Sequence, residues 1–270
     1  MLLARVVTAV VAIIAILVVL FVLPPDIGKA VIALVVAAAA WEWSAFLRIE
    51  STAIRLAYVV LVVACCALTL PSIALLTPNA LLMIAGLWWV TALILVLRYP
   101  VRVSKAMTFV AGFTTLVPTF FALLALARYP ETGNITGPAL LLFVLVVIWG
   151  ADVGGYFAGR FLGKRKLSPA VSPNKTWAGV VGGLVVSGLV GVIGSVLFEL
   201  AWFRLVPLCI LTAAVSVLGD LTVSMFKREA DVKDSGVLFP GHGGVLDRLD
   251  SIAAAAPFFV AGIVAGHGAW

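Results

Sequence analysis

Residues 138–162, PALLLFVLVVIWGADVGGYFAGRFL, decide the class of fold. Only Asp152 and Arg160 are charged in this stretch of 25 residues. A helix of about 20 apolar residues crosses a hydrocarbon core of about 30 Å. The stretch therefore predicts a membrane-spanning helix that carries an aspartate within its apolar run.

The composition of the whole chain points in the same direction. Of 270 residues, 64% are hydrophobic and 11% are charged, and the mean hydropathy is +1.23. Soluble domains are about 45–50% apolar and about 25% charged. The composition excludes a soluble protein. The three cysteines lie in apolar runs without metal-type spacing and indicate no redox or metal function.

The apolar runs predict an all-α, polytopic integral membrane protein with about nine transmembrane helices. Prolines and charged clusters separate the runs, as at Pro24-Pro25 and between Arg98 and Lys105. The predicted helices cover residues 6–23, 27–47, 53–70, 79–97, 106–127, 138–162, 176–198, 205–224 and 251–268.

The distribution of Lys and Arg predicts the orientation. With nine spans, 15 of the 18 basic residues share the side of the N-terminus, and only Lys29, Arg128 and Arg204 lie opposite. Cytoplasmic loops carry the excess of Lys and Arg in membrane proteins. We therefore predict a multi-pass protein of the cell (inner) membrane, with a cytoplasmic N-terminus, a C-terminus on the opposite side and an active site facing the cytoplasm.

Two cytoplasmic stretches collect the polar chemistry. Residues 152–175 and 220–250 together hold 16 of the 30 charged residues. We interpret the chain as a single membrane domain. In it, 1–130 supplies N-terminal transmembrane helices, and 131–270 forms a catalytic region with cytoplasmic loops 160–175 and 225–250.

Asp152 is a candidate site residue because of its depth in a predicted span. An aspartate at a helix centre costs about 2.5–3.5 kcal/mol on insertion, and such residues usually mark a functional site. Tyr156 shares its helix face at i+4. Gly155, Gly159 and Gly163 recur every fourth residue, a spacing that favours close packing of helices.

Asp220 ends another predicted span. Ser216 and Ser224 lie on the same helix face, four residues before and after it. A carboxylate with neighbouring hydroxyls suits Mg²⁺, which binds few carboxylates and keeps waters and substrate phosphates. The alternative is a carboxylate that Lys227 or Arg228 neutralises.

Further carboxylates, cations and glycines follow Asp220. Gly243 and Gly244 allow backbone amides to approach an anion closely, and cations nearby would neutralise phosphate charge. Asp247 is then a second candidate metal ligand, whereas Asp250 is either a ligand or the N-cap of the last helix. The pattern predicts a membrane-embedded, metal-dependent site for a heavily phosphorylated substrate.

The stretch from Ser224 to Asp250 resembles the signature of the phosphatidate cytidylyltransferase (CDP-diacylglycerol synthase) family. The matching positions are Ser224-Met225-Phe226-Lys227-Arg228, Lys233-Asp234, Gly236, Phe239-Pro240, His242-Gly243-Gly244 and Asp247-Arg248-Leu249-Asp250. Residues 152–176 also resemble that family. Ala178 departs from it, because many members carry an acidic residue there.

The resemblance implies an enzyme that converts CTP and phosphatidate to CDP-diacylglycerol and pyrophosphate, with Mg²⁺ or another divalent cation. The implied catalytic residues are Asp220, Asp247, Lys227, Arg228 and His242. The implied substrate-binding residues are Asp152, Tyr156, Arg160, Lys164, Ser172, Lys175, Thr176, Ser224, Lys233, Asp234, Gly243, Gly244 and Arg248. The implied metal ligands are Asp220, Asp247 and Asp250. His242 is interpreted either as a proton shuttle or as a hydrogen-bonding residue of the glycine-rich loop.

Other classes of function stay open at this point. A transporter or channel would also contain many spans, although no internal repeat supports it. Residues 152–160 faintly resemble enzymes that consume CDP-diacylglycerol, without the further spaced aspartates of those enzymes. A CTP-dependent lipid kinase would use similar chemistry. The expected partners are CTP, phosphatidate and membrane lipids, with a homodimer compatible with the glycine-spaced face. The pI of about 9.5 is attributed to loops near anionic headgroups rather than to nucleic-acid binding.

Overall fold

The computed structural model describes residues 2–72, 78–236 and 243–265, with side chains described for 10–70, 80–236 and 243–265. Within these ranges the chain forms nine α-helices and one antiparallel β-hairpin. The elements are α1 (Leu2–Phe21), α2 (Pro25–Phe46), α3 (Thr52–Ser72), α4 (Pro78–Arg98), α5 (Lys105–Ala127), α6 (Gly137–Leu162), β1 (Lys166–Ser168), β2 (Ser172–Thr176), α7 (Trp177–Leu197), α8 (Trp202–Glu229) and α9 (Leu246–Ala265). Helices α2 to α9 are long and apolar enough to cross a membrane, and α1 adds a shorter apolar stretch, Val10–Phe21. The predicted polytopic, nearly all-helical fold is confirmed.

Local sequence explains where several helices begin. Pro25 occupies the first turn of α2, where a missing amide hydrogen costs nothing. The hydroxyl of Ser104 accepts a hydrogen bond from the Met107 amide at 3.1 Å and so caps α5. Thr136 caps α6 in the same way, by accepting from the Ala139 amide at 3.4 Å.

The bundle core joins the first helices of the chain to the last. Trp43 of α2 is fully buried, and its ring centre lies 5.1 Å from that of Phe226 in α8. In α5, the Thr119 hydroxyl donates to the carbonyl of Ala253 in α9 at 3.3 Å. Outer helices expose large apolar side chains instead, such as Leu87 of α4 at 72% exposure, as a lipid-facing surface requires. The core therefore crosses the boundary at residue 130 between the two predicted regions.

Helices α6 and α7 pack closely through glycines. A Cβ at Gly182 would lie 2.2 Å from the Ala158 Cβ and 2.8 Å from the Gly154 carbonyl oxygen. A Cβ at Gly179 would lie 2.8 Å from the Gly155 carbonyl oxygen. The prediction of close helix packing is confirmed. Since α7 occupies this glycine-spaced face of α6, the face is filled within one chain, and a homodimer stays a prediction without a defined surface.

We expect Gly182→Ala to destabilise the protein, because the added methyl group would press on backbone as well as on Ala158. Overpacking of this kind costs about 1–3 kcal/mol. Thermal unfolding in detergent should show a lowered midpoint. Gly86→Ala is the matched control, since its added Cβ would lie more than 4 Å from every described side chain and neighbouring helix outside its own helical turn. Equal midpoints for the two variants would contradict the packing argument.

The ends of two helices and one loop differ from the prediction. Helix α8 continues to Glu229 instead of ending at 224, and α9 begins at Leu246 instead of 251. The predicted spans stopped at charged residues, whereas backbone hydrogen bonding continues a helix beyond the apolar core. Most of the β-hairpin lies in the predicted loop 160–175, and it pairs Lys166 with Thr176 and Ser168 with Ser172. Apolar and polar side chains do not alternate along its two strands, so the sequence showed no sign of a β-strand there.

Candidate active site

Polar contacts gather several connecting segments at one end of the bundle. Arg48, which follows α2, donates to the Glu229 carbonyl oxygen at 2.7 Å. The Val103 amide, ahead of α5, donates to the Glu229 carboxylate at 3.3 Å. Arg228 of α8 donates to the Val171 carbonyl oxygen in the hairpin at 3.4 Å. We call this end of the bundle the site end.

Asp220 is held by the hairpin and by its own helix. Its Oδ2 lies 2.6 Å from the Lys175 Nζ, and its Oδ1 accepts from the Ser224 hydroxyl at 3.1 Å. The Asp220 and Lys175 side chains are 28% and 25% exposed, so the pair is partly shielded. The alternative to a metal ligand was an ion pair with Lys227 or Arg228; Asp220 does form an ion pair, but its cation is Lys175 of β2. Ser216, predicted on the same stripe, is buried and donates to a carbonyl of its own helix.

Asp247 forms a second and more buried ion pair. Its Oδ1 lies 2.7 Å from the Lys227 Nζ, and the two side chains are 11% and 12% exposed. Its Oδ2 accepts from the amides of Ser235 at 3.0 Å and Gly244 at 2.9 Å. Asp247 therefore ties α9 to α8 and also holds Ser235 and Gly244 together.

Asp152 and Asp250 each lie within electrostatic range of Asp220. Asp250 is 8% exposed and accepts from the Ser251 amide at 2.7 Å. Both carboxylates lie close enough to Asp220 to repel it and close enough to Lys175 to be attracted. The N-cap alternative for Asp250 is wrong, since Asp250 lies inside α9 and not before its first residue.

Lysine and arginine side chains balance this acidic group. Lys227 also attracts Asp250, and Arg248 attracts Asp152. The structure thus brings together six predicted site residues, which lie on α6, β2, α8 and the first two turns of α9. They are Asp152, Lys175, Asp220, Lys227, Arg248 and Asp250.

The other predicted residues take different positions. Arg160 donates to the Tyr156 hydroxyl at 2.7 Å on an exposed part of α6. The Thr176 hydroxyl accepts from the Gly179 amide at 3.1 Å and so caps α7. Arg228, Lys164, Lys233 and Asp234 are exposed, Ser172 is half-buried in β2, and Gly243 and Gly244 lead into α9. His242 lies outside the described residues and stays a prediction.

Sequence reasoning missed Glu42 of α2. This carboxylate is 6% exposed and accepts from the amides of Val245 at 3.0 Å and Leu246 at 2.8 Å, and from the Ser235 hydroxyl at 2.9 Å. The signal was available, because Glu42 is an acidic residue inside the predicted span 27–47. Asp152 was selected by the same criterion, an ionisable side chain inside a predicted membrane span.

The donor set fits a hard divalent cation. Asp152, Asp220 and Asp250 are three carboxylates within electrostatic range of one another, and Asp220 also forms an ion pair with Lys175. Oxygen ligands of this kind suit Mg²⁺. No three His, Cys, Asp or Glu side chains in the described ranges enclose a metal ion by themselves.

Fold and site together define a multi-pass membrane protein with a charged site where its helices end. The sequence-family model described as "Cytidylyltransferase family" matches residues 3–265 of the chain. A phosphatidate cytidylyltransferase of Pseudomonas aeruginosa is 40% identical over 280 residues and covers 100% of both chains. One from Haemophilus influenzae is 38% identical over 285 residues, covering 96% of this chain and 97% of the relative. One from Bacillus subtilis is 41% identical over 173 residues, covering 62% and 64%. The chain belongs to the cytidylyltransferase family.

Proposed function

We propose that this protein is a phosphatidate cytidylyltransferase, which converts CTP and phosphatidate to CDP-diacylglycerol and pyrophosphate. Its family and the names of its full-length relatives support this reaction. The observation that carries it is the meeting of Asp152, Lys175, Asp220 and Asp250 at the end of a membrane-spanning bundle. There, a lipid phosphate and a soluble nucleotide can reach the same charged groups.

The reaction joins two anions and needs little proton transfer. A phosphatidate oxygen attacks the α-phosphorus of CTP, and the bond from that phosphorus to the bridging oxygen of the β-phosphate breaks. Pyrophosphate leaves with the electron pair of the broken bond. The phosphatidate oxygen is already anionic, so catalysis consists mainly of positioning and charge stabilisation.

The basic residues of the site would bind the phosphates of the substrates. Lys175 and Lys227 now pair with Asp220 and Asp247, so a bound phosphate would compete with these carboxylates for the two ammonium groups. Arg248, exposed at the start of α9, would contribute a third cation. Lys233 and Arg228 are proposed to bind the outer phosphates from the same end of the bundle.

The carboxylates would hold Mg²⁺ or another divalent cation. Asp220 and Asp250 are the strongest candidates, with Asp152 beside them. Asp247 is a further proposed ligand, although here its oxygens accept from Lys227 and two amides. A bound divalent cation would neutralise the phosphate oxygens and stabilise the charge of the leaving pyrophosphate.

The site end is proposed to face the cytoplasm, with the N-terminus on the same side and the C-terminus opposite, in the cell (inner) membrane. The excess of Lys and Arg on this side supports the orientation. A cysteine introduced at exposed Asp234 should resist a membrane-impermeant maleimide in intact cells and react after permeabilisation. Equal labelling in intact cells would contradict this orientation.

Product analysis tests the reaction. Purified protein in detergent would receive phosphatidate, Mg²⁺ and CTP labelled in its α-phosphate. We expect the label in a CDP-lipid, with one pyrophosphate released per lipid formed. Free labelled CDP with a phosphorylated lipid would indicate a lipid kinase. No turnover of CTP with phosphatidate would contradict the proposal.

A further inference from the structure

Glu42 is a buried carboxylate that backbone and hydroxyl groups satisfy. Its two oxygens accept three hydrogen bonds, from the Val245 and Leu246 amides and from the Ser235 hydroxyl. Within the described ranges, Glu42 forms no ion pair. The amides that it binds lie at the start of α9, where backbone N–H groups lack partners within the helix and favour negative charge.

The helix that carries Glu42 is firmly anchored. Its neighbour Trp43 is fully buried, and the indole Nε1 donates to the Thr108 carbonyl oxygen of α5 at 2.9 Å. The same ring packs on Phe226 in α8. Glu42 therefore projects from a fixed position in the core and holds the segment that leads into α9.

Two glycines fit against the Glu42 carboxylate. A Cβ at Gly236 would lie 2.2 Å from Glu42 Oε1, and a Cβ at Gly244 would lie 2.2 Å from Glu42 Oε2. The Gly244 Cβ would also lie 2.4 Å from the Ser235 hydroxyl oxygen. Glycine at these positions thus makes room for an internal carboxylate. Gly244 does approach an anion, as the sequence suggested, but in this structure the anions are carboxylates of the protein.

Glu42 and Asp247 both contact Ser235 and the residues that lead into α9. Glu42 binds the Ser235 hydroxyl, and Asp247 accepts from the Ser235 amide. Glu42 contacts the chain from Gly244 to Leu246, and Asp247 accepts from the Gly244 amide. Asp247 in turn holds Lys227. A continuous set of contacts therefore runs from α2 to the buried ion pair of the site.

We infer that Glu42 is a positioning residue, which fixes Asp247 and Lys227 by holding Ser235 and the start of α9 against α2. The inference rests on the proposed function for its effect on turnover. It assigns a role in the site to the second helix of the chain, outside the signature and the stretch 152–176.

The main test compares Glu42→Gln with Glu50→Gln in purified full-length protein. Glutamine keeps the shape of the side chain, but its NH₂ group cannot accept a hydrogen bond, so at least one bond to Ser235, Val245 or Leu246 is lost. Loss of groups that orient site residues typically costs about 10- to 100-fold in activity. We expect kcat of Glu42→Gln to fall within that range, with the KM for CTP changed less than threefold. Glu50 is exposed, and its variant should match the wild type.

A second comparison separates positioning from simple packing. Gly244→Ala should lower kcat because its methyl group would displace the carboxylate, and Glu42→Ala removes that carboxylate. The double variant should therefore lose little more than the worse single variant, as expected for residues that act as a unit. Losses that multiply, or a Glu42→Gln variant with wild-type kcat, would overturn the inference. A reduced folded fraction with normal kcat per folded molecule would also overturn it.

Hydrogen–deuterium exchange gives a readout independent of turnover. In Glu42→Gln, peptides that cover residues 243–249 should exchange faster than in the wild type, while peptides of α6 should not change. If the wild type makes no CDP-lipid but this local change occurs, the proposed function fails and the positioning role of Glu42 stands. If the wild type is active and exchange at 243–249 is unaltered, the positioning role is wrong.

Discussion

Asp220→Asn is expected to lower kcat by about 10²- to 10³-fold, the effect of removing one group that stabilises transition-state charge. Asp220 lies at the centre of the site, where it pairs with Lys175 and lies near Asp152 and Asp250. Asparagine keeps the shape and the hydrogen bond from Ser224 but removes the charge that would hold a divalent cation. Steady-state kinetics with varied CTP and Mg²⁺ would measure the loss.

Asp26→Asn is the matched control for this experiment. Asp26 lies in the first turn of α2, at the other end of that helix from Glu42; its side chain is 86% exposed and pairs with Lys29. The same chemical change there should leave kcat within twofold of the wild type. An Asp220→Asn variant that kept more than half of the wild-type kcat would show that this carboxylate is not needed for turnover.

Asp247→Asn is expected to abolish measurable turnover while expression and detergent extraction remain normal. The change leaves Lys227 without its counter-charge in a site where both side chains are about nine-tenths shielded. Removing one partner of a buried pair leaves an uncompensated charge. The asparagine carbonyl can still accept from the Ser235 and Gly244 amides, so the local backbone should hold its shape.

Lys227→Met removes the other partner of this ion pair. It should also be inactive, because the two residues act together. Activity would be measured per folded molecule, after size-exclusion chromatography confirms equal recovery. Wild-type turnover in Asp247→Asn would exclude both the proposed metal role and the role of the ion pair.

Much of the site was predictable because charge inside an apolar span is costly. That one criterion selected Asp152 and Asp220, and the structure places them within electrostatic range of each other. It also applied to Glu42, which the sequence analysis passed over. The partner of Asp220 was not predictable in this way, since Lys175 is 45 positions earlier and the hairpin that carries it has no apolar alternation.

The helix ends were harder to predict than the helices. Asp247 was expected in a loop but lies in the first turn of α9, and Lys227 lies on the extended end of α8. Hydropathy locates the part of a helix within the hydrocarbon, while capping and backbone hydrogen bonds decide where it ends. Because the site occupies these extensions, its geometry required the folded structure.

The two lysine–aspartate pairs have a consequence for the order of ligand binding. Without substrate, the charged residues of the site neutralise one another. A nucleotide phosphate that binds Lys175 would therefore leave Asp220 without its cationic partner. A divalent cation at Asp220 would likewise release Lys175 for phosphate. Linkage requires the two effects to be equal, so nucleotide and cation should each raise the affinity for the other by the same factor. Departure of pyrophosphate would weaken cation binding and let the internal pairs re-form, which returns the enzyme to its resting state.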